Sequence, residues 1–213
     1  LVLDEAALAI RREVLGPRDP ETVQSLNNLG ASYLQRDEPE VAEPLLRQAL
    51  EARRELLGPT HPRVANTMNN LARTLLDLER TAEAQALFRE ALAIWERTLG
   101  AEHPRLAGGY YNLSLALERE RRVDEAIDAM LRSHQIDRAS YPDDHPYVGD
   151  SAFELGRMLL ERERRDEATP FLERALEIHL ARYDDDTRAE EIRTLLARAR
   201  TPAAAGAVGS ESP

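Results

Sequence analysis

The chain has 213 residues, of which 42% are hydrophobic and 31% charged, as is typical of a soluble, helix-rich protein. Its formal net charge of −11 argues against nucleic-acid binding, because contact with phosphates needs a basic face. The lack of cysteine excludes disulfides and thiolate metal sites. No apolar run approaches the ~20 residues of a membrane-spanning helix, and no signal peptide opens the sequence. We therefore expect a cytoplasmic protein with no membrane partner.

A period of 42 residues organises most of the sequence. It is marked by four prolines, each preceded by Asp or His: Pro20, Pro62, Pro104 and Pro146. Small residues recur ten positions after each proline, at Gly30, Ala72, Ser114 and Gly156. Alanines recur 22 positions after it, at Ala42, Ala84, Ala126 and Ala168. Such columns indicate stacked structural repeats, with small residues where helices cross closely.

The predicted elements follow this period along the chain. Residues 1–18 predict the second helix of a truncated preceding repeat, which indicates a fragment of a longer protein. Four whole repeats are then predicted at residues 19–61, 62–103, 104–145 and 146–186. Residues 187–200 predict a C-terminal capping helix, which a stack of repeats needs to shield its last apolar face. Residues 201–213 are small and turn-prone, and they predict a disordered tail.

Each repeat is predicted to contain two helices. In the second repeat, one helical face is predicted from apolar residues spaced by four, three and four positions: Val64, Met68, Leu71 and Leu75. The proline suits the first turn, and the Asp or His before it can cap the helix. The second helix is predicted from about Ala82 to Thr98. It ends at Leu99-Gly100, where glycine favours a left-handed helix stop.

Several stretches resemble the tetratricopeptide repeat, in the 42-residue form found in kinesin light chains and many bacterial proteins. They are LNNLGASY from Leu26, MNNLA from Met68, ALAI from Ala91 and the linker LGAEHP from Leu99. The family usually has Gly at the turn between the two helices, where this chain has Asp37, Glu79, Arg121 and Glu163. The resemblance implies an all-α fold, a right-handed superhelical α-solenoid of antiparallel helix pairs. It also implies a non-catalytic, cofactor-free fold that binds a protein or peptide in a concave groove lined by the first helices.

A polar stripe on each first helix, four, eight and eleven residues after the proline, resembles the groove-lining positions of that family. From this stripe and its neighbours we expect peptide-binding roles for Gln24, Asn27, Asn28, Asn66, Asn69, Asn70, Arg73, Asn112, Glu154 and Arg157. One column repeats asparagine, whose carboxamide can both donate to and accept from a peptide backbone: Asn28, Asn70 and Asn112. Contacts within the repeats are the alternative for these asparagines, and intramolecular ion pairs are the alternative for the arginines.

Other constellations favour structure over chemistry. His61, His103 and His145 stand one repeat apart, so stacked helices at ~10 Å would hold them too far apart to share zinc. We expect them to be turn residues, and we expect Trp95 to pack between helices. No motif predicts a catalytic site. The leading function is therefore a polypeptide-binding scaffold. The alternative is a self-assembly or regulatory module of a larger bacterial signalling protein, such as a kinase or an ATPase.

Overall fold

The computed structural model describes residues 2–182 and 186–201, and every regular element in these ranges is an α-helix. The helices are α1 (Val2–Val14), α2 (Pro20–Gln35), α3 (Pro39–Leu57), α4 (Pro62–Asp77), α5 (Thr81–Leu99), α6 (Pro104–Arg119), α7 (Val123–Ser140), α8 (Pro146–Glu161), α9 (Arg165–Arg182) and α10 (Asp186–Arg200). The predicted all-α fold of helix pairs is thus confirmed, and α5 extends one residue beyond its prediction at each end. None of the helices so described is both long and apolar enough to cross a bilayer.

The chain forms two compact units, which divide between Ser140 and Tyr141. In the sequence, this is where Tyr141-Pro142 replaces the Leu-Gly pair that ends the second helix of earlier repeats. In the first unit, the pairs α2–α3, α4–α5 and α6–α7 pack face to face, and α3 and α5 also pack on the next first helices, α4 and α6. In the second unit, α9 packs against both α8 and α10.

The first helices begin with side-chain caps, as the sequence predicts. The carboxylate of Asp19 accepts a hydrogen bond of 2.8 Å from the backbone N–H of Glu21. His61, His103 and His145 do the same through Nδ1, at 3.0, 3.1 and 3.2 Å from the backbone N–H two residues on. Nδ1 can accept only in the neutral ring. The prediction that these histidines are structural turn residues is confirmed.

The turns within the pairs have positive backbone angles at residues other than glycine. Asp37, Glu79, Arg121 and Glu163 have φ values of 60°, 60°, 62° and 58°. The turn therefore keeps the conformation that favours glycine, although the glycine itself is absent. The stops after α3 and α5 differ from the predicted left-handed geometry, because Gly58 and Gly100 combine φ of 81° and 89° with ψ of 156° and 154°. That mirror-image extended region is essentially restricted to glycine.

The small-residue columns lie where the two helices of a pair cross. A Cβ atom on Gly30 would lie 2.6 Å from Leu46 Cγ, and one on Gly156 would lie 2.7 Å from Leu172 Cγ. The alanine column has no solvent exposure at all, at Ala42, Ala84, Ala126 and Ala168. Close helix approach at these columns is therefore confirmed.

In the first unit the first helices form the more closely packed layer. α4 contacts both α2 and α6 directly, whereas neighbouring second helices make no comparable backbone approach within the described residues. The second helices are joined instead by long side chains. Their ion pairs are Arg47–Glu83 at 2.6 Å, Arg54–Glu90 at 3.2 Å and Arg89–Glu125 at 3.7 Å. Exposed pairs of this kind contribute only about 0–1 kcal/mol each, so they link the second-helix layer without tightly fixing it.

The second unit ends in α10, at the place where the sequence predicts a capping helix. Its buried stripe is formed by Ala189, Ile192, Leu196 and Ala199. Arg188 lies 4.6 Å over the ring of Phe153, which is itself buried. That α10 shields the end of the stack remains our proposal, as do the repeat boundaries. The predicted disordered tail lies outside the described residues, apart from Thr201.

Candidate ligand-binding surface

The polar stripe predicted to bind peptide lies on α2, α4 and α6, in the closely packed layer of the first unit. Three asparagines occupy the same place on successive helices. Asn28 is exposed, and Asn70 and Asn112 are half-buried. These residues therefore remain in contact with solvent, although the column that follows them is buried: Leu29, Leu71 and Leu113.

Asn28 is held by a chain of hydrogen bonds that begins inside the stack. Arg53 of α3 donates from Nη2 to Oε1 of Gln24 at 2.7 Å. Gln24 in turn donates from Nε2 to Oδ1 of Asn28 at 2.6 Å. The two predicted residues Gln24 and Asn28 are thus brought together by an arginine that the sequence analysis did not single out.

Asn27 lies inside the stack and is only 8% exposed. Its Oδ1 accepts from Thr67 Oγ1 at 3.1 Å and from Arg53 Nη1 at 3.3 Å. This carboxamide joins α2, α3 and α4. Such contacts within the repeats were the alternative to peptide binding in the sequence analysis. Asn27 is therefore a buried residue beneath the polar stripe, and it binds neighbouring helices of the protein.

Arg53 is a buried cation, 4% exposed, whose partners are all neutral. Besides Gln24 and Asn27, Nη1 donates to Thr67 Oγ1 at 2.6 Å and to the backbone carbonyl of Arg63 at 3.0 Å. Burial, and then the charge of Arg63, lowers the pKa of Arg53 to about 10. Four neutral acceptors thus replace the carboxylate that a buried arginine usually has.

Asn66 of α4 is held in the same way. Its Oδ1 accepts from the indole Nε1 of Trp95 at 3.1 Å and from Arg105 Nη1 at 3.1 Å. Trp95 of α5 is 3% exposed and lies against Gly109 of α6 and Asn66 of α4, so the prediction of a packing role is confirmed. Its indole N–H also fixes the side chain of Asn66 through a hydrogen bond.

The remaining asparagines of the stripe are less tightly held. Asn112 donates from Nδ2 to Oδ1 of Asn69 at 3.2 Å, which links α6 to α4. The side chain of Asn70 makes no hydrogen bond within the described part of the chain, and Arg73 is exposed. Asn70 and Arg73 are therefore the members of the predicted set with the fewest internal partners.

Glu154 and Arg157 lie in the second unit and pair with each other. Arg157 Nε lies 2.9 Å from Glu154 Oε2, and its Nη1 lies 2.8 Å from Glu161 Oε1. This is the intramolecular ion pair that the sequence analysis left as the alternative to ligand contact.

The sequence analysis missed Arg53 altogether, and it missed the hydrogen bond by which Trp95 holds Asn66. Both lie 33 residues after the proline of their repeat, and Arg11 occupies the equivalent place in α1. This column of the second helices faces the next first helix, where Arg11 donates to Ser25 Oγ at 2.9 Å. Polar or indole side chains in an inward-facing helix column were the available signal. Among the residues the structure describes, no group of three or more His, Asp or Glu is placed to hold a metal ion.

Comparison with known proteins agrees with this architecture. The tetratricopeptide repeat family matches residues 1–55, 37–97, 63–119 and 105–181. A search of curated proteins gives no match. Among solved structures, the nearly identical TPR-like repeats of a candidate kinesin light chain from Podosopora anserina are 25% identical to this chain, with a TM-score of 0.73. That match covers 85% of this chain and 86% of the other.

Two further structures share the fold at lower identity. BtubC (BKLC) from P. vanneervenii is 19% identical with a TM-score of 0.79, over 93% of this chain and 80% of that one. The apo form of RapI is 15% identical with a TM-score of 0.78, over 93% of this chain and 69% of that one. With family matches along most of its length, this chain belongs to the tetratricopeptide repeat family, and its repeats are of the kinesin-light-chain-like kind.

Proposed function

We propose that this protein is a non-catalytic scaffold that holds a partner polypeptide along α2, α4 and α6. The observation that carries the proposal is the asparagine column, which places a solvent-accessible carboxamide at the same point of three successive first helices. A carboxamide can bond to peptide backbone whatever the ligand sequence, and each net hydrogen bond contributes about 0.5–1.5 kcal/mol. Three such bonds repeated along one layer suit an extended chain.

The arrangement of the layers supports the same surface. The first helices of the first unit approach one another closely, so their polar side chains lie near enough to act together on one ligand. The second helices present mainly Arg–Glu pairs that satisfy each other. Tetratricopeptide repeats generally serve as binding scaffolds, and the ligand preference of a fold of this kind depends on few surface side chains.

A capture experiment tests this proposal. The variant Asn28→Ala/Asn70→Ala/Asn112→Ala and the wild type are each used to recover peptides from a random display library. We expect the variant to lose capture by at least about tenfold, which three lost bonds of ~0.5–1.5 kcal/mol would give, while its melting temperature stays close to that of the wild type. The matched control is Glu51→Ala/Gln135→Ala, a pair of exposed residues in one column of the second helices. Equal capture by both variants would contradict the proposal.

A second candidate function, self-association, is favoured by the exposed apolar face of α1. Val2, Leu3, Ile10 and Val14 are 79%, 84%, 61% and 72% exposed. The residues that correspond to Ile10 in the later repeats are buried: Ala52, Ile94, Ile136 and Ile178. We propose that a second copy of the chain covers this face, because exposed apolar patches of this kind mark interaction sites. Light scattering over a concentration series tests self-association, and a mass that stays monomeric would rule it out. If the chain dimerises, a dimer that is unchanged in Ile10→Asp would show that this face is not the interface.

A further inference from the structure

The side-chain amides at the start of the stripe all use their oxygens inside the protein. Gln24 accepts from Arg53, Asn28 accepts from Gln24, and Asn66 accepts from both Trp95 and Arg105. An amide oxygen can accept two hydrogen bonds, and it accepts two in Asn66 and one in each of Gln24 and Asn28. In all three residues the oxygen meets an internal donor, which leaves N–H groups for a ligand. We call Gln24, Asn28 and Asn66 the amide cluster. Its members share one orientation, with the oxygen toward an internal donor, which their amino-acid types alone do not require.

The orientation of each amide is dictated by partners that can only donate. A guanidinium and an indole N–H carry no acceptor, so Arg53 must meet the oxygen of Gln24 and Trp95 must meet the oxygen of Asn66. Once the oxygen of Gln24 is fixed on Arg53, its Nε2 faces Asn28. Asn28 must then accept this hydrogen bond through Oδ1. Rotating any of these amides by half a turn would place N–H against N–H. The arrangement is therefore set by hydrogen-bond chemistry, even though amide oxygen and nitrogen have similar shapes.

The side-chain N–H groups of Asn28 and Asn66 have no acceptor among the described residues. Asn28 is exposed, and Asn66 is partly so. Two further features favour an acceptor on the ligand side. Arg53 carries a positive charge with no carboxylate partner in the described residues, and Arg105 brings a second guanidinium to Asn66. A surface of donors backed by uncompensated cations attracts oxygen atoms and repels N–H groups.

We propose that Arg53 and Trp95 are positioning residues that fix the amide oxygens of the cluster on internal donors and leave its N–H groups for the ligand, so that a polypeptide is held here mainly through its oxygen acceptors. This inference rests on the proposed function, and it adds which ligand atoms are recognised, namely oxygen acceptors. Backbone carbonyls and side-chain carboxylates both supply such oxygens, and the experiment separates them. Arg53 and Trp95 act through the amides and need not touch the ligand.

The first test uses the free protein and needs no ligand. In a uniformly labelled sample, couplings across hydrogen bonds are measured from Trp95 Nε1 to Asn66 Cγ and from Gln24 Nε2 to Asn28 Cγ. We expect both couplings in the wild type. The second should vanish in Arg53→Met and persist in Arg54→Met, the neighbouring exposed arginine that loses the same charge. A wild type in which Asn28 donates to Gln24 would overturn the proposal.

The second test uses a peptide selected on the wild type from a display library. Each backbone carbonyl is replaced in turn by a thioamide, a weaker acceptor, and each backbone nitrogen is methylated, which removes a donor. At the positions that contact the amide cluster we expect thioamides to weaken binding by about two- to tenfold, the equivalent of one lost bond, and methylation to have little effect. The reverse pattern would overturn the proposal. Replacing Glu and Asp of the peptide with Gln and Asn shows whether carboxylates supply the oxygens.

The variants show whether the positioning residues set this preference. At the peptide positions that contact Asn28, Arg53→Met should lose the difference between the two scans, and Arg54→Met should retain it. Gln24→Ala provides a second route, because it removes the link between Arg53 and Asn28 at an exposed position and leaves Arg53 three of its four acceptors. A preference that survives at those positions in both Arg53→Met and Gln24→Ala contradicts the inference. Failure to select any peptide would count against the proposed function, whereas the couplings in the free protein test this inference separately.

Discussion

A Cβ atom placed on Gly30 would lie 2.6 Å from Cγ of Leu46, on the facing helix of the same repeat. No real Cβ approaches a carbon so closely, so one of the two helices would have to move. Ala is the better helix former by about 1 kcal/mol, but overpacking costs about 1–3 kcal/mol. We therefore expect Gly30→Ala to destabilise the protein in a urea melt.

Gly108 provides the matched control for this substitution. It lies within α6, and a Cβ there meets nothing within 4 Å. Gly108→Ala should therefore raise the free energy of unfolding by up to about 1 kcal/mol. If the two substitutions changed stability in the same direction, crossing distance would not be the reason for the small-residue column.

The turns predict a stabilising substitution. Glu79 has φ of 60°, in the left-handed region that costs an L-residue about 1–2 kcal/mol. Glycine removes this strain but loses about 0.5–1 kcal/mol through its freedom in the unfolded chain. We expect Glu79→Gly to raise the free energy of unfolding by up to about 1 kcal/mol. Glu79→Ala keeps the strain and should bring no such gain in the same denaturant titration.

How far the sequence predicts this molecule depends on whether a feature repeats. The helix pairs, the proline caps and the close crossing at Gly30 all recur with the period, so each is visible as a column. Arg53 and Trp95 differ in type although they occupy equivalent places, and their partners lie on neighbouring helices. Which amide oxygen each one meets depends on geometry across three helices, and a one-dimensional pattern does not contain that information.

The histidine caps give a prediction for the first helices. His103 Nδ1 accepts the backbone N–H of Arg105 at 3.1 Å, and Asp19 performs the same task in the first repeat. Losing a cap costs about 1 kcal/mol, so we expect His103→Ala to lower the melting temperature. His103→Asp should restore it, because Asp is the better cap. Equal melting of the Ala and Asp variants would show that the cap contributes nothing.

The burial of His134 is expected to make the protein less stable in acid. Burial, and then the charge of Arg138, lowers its pKa from 6.5 to about 4. The unfolded chain therefore binds a proton near pH 6.5 that the folded protein does not accept until near pH 4. Between these values protons favour unfolding. We expect about 2–3 kcal/mol of stability to be lost through this group by pH 4.

The repeat itself suggests the control for this pH dependence. The residues that correspond to His134 in the three preceding second helices are buried leucines: Leu8, Leu50 and Leu92. His134→Leu should keep the fold and flatten the fall in the free energy of unfolding between pH 6.5 and pH 4. If the variant and the wild type lose stability in parallel over that range, another group is responsible.

We propose that a polypeptide lies along the first helices, against the asparagine column. The most direct measurement is chemical-shift mapping of the labelled protein with a peptide selected from a display library. We expect the largest shifts in the side-chain amides of Asn28, Asn70 and Asn112 and along α2, α4 and α6. Shifts confined to α3, α5 and α7, with those three amides unmoved, would contradict the account.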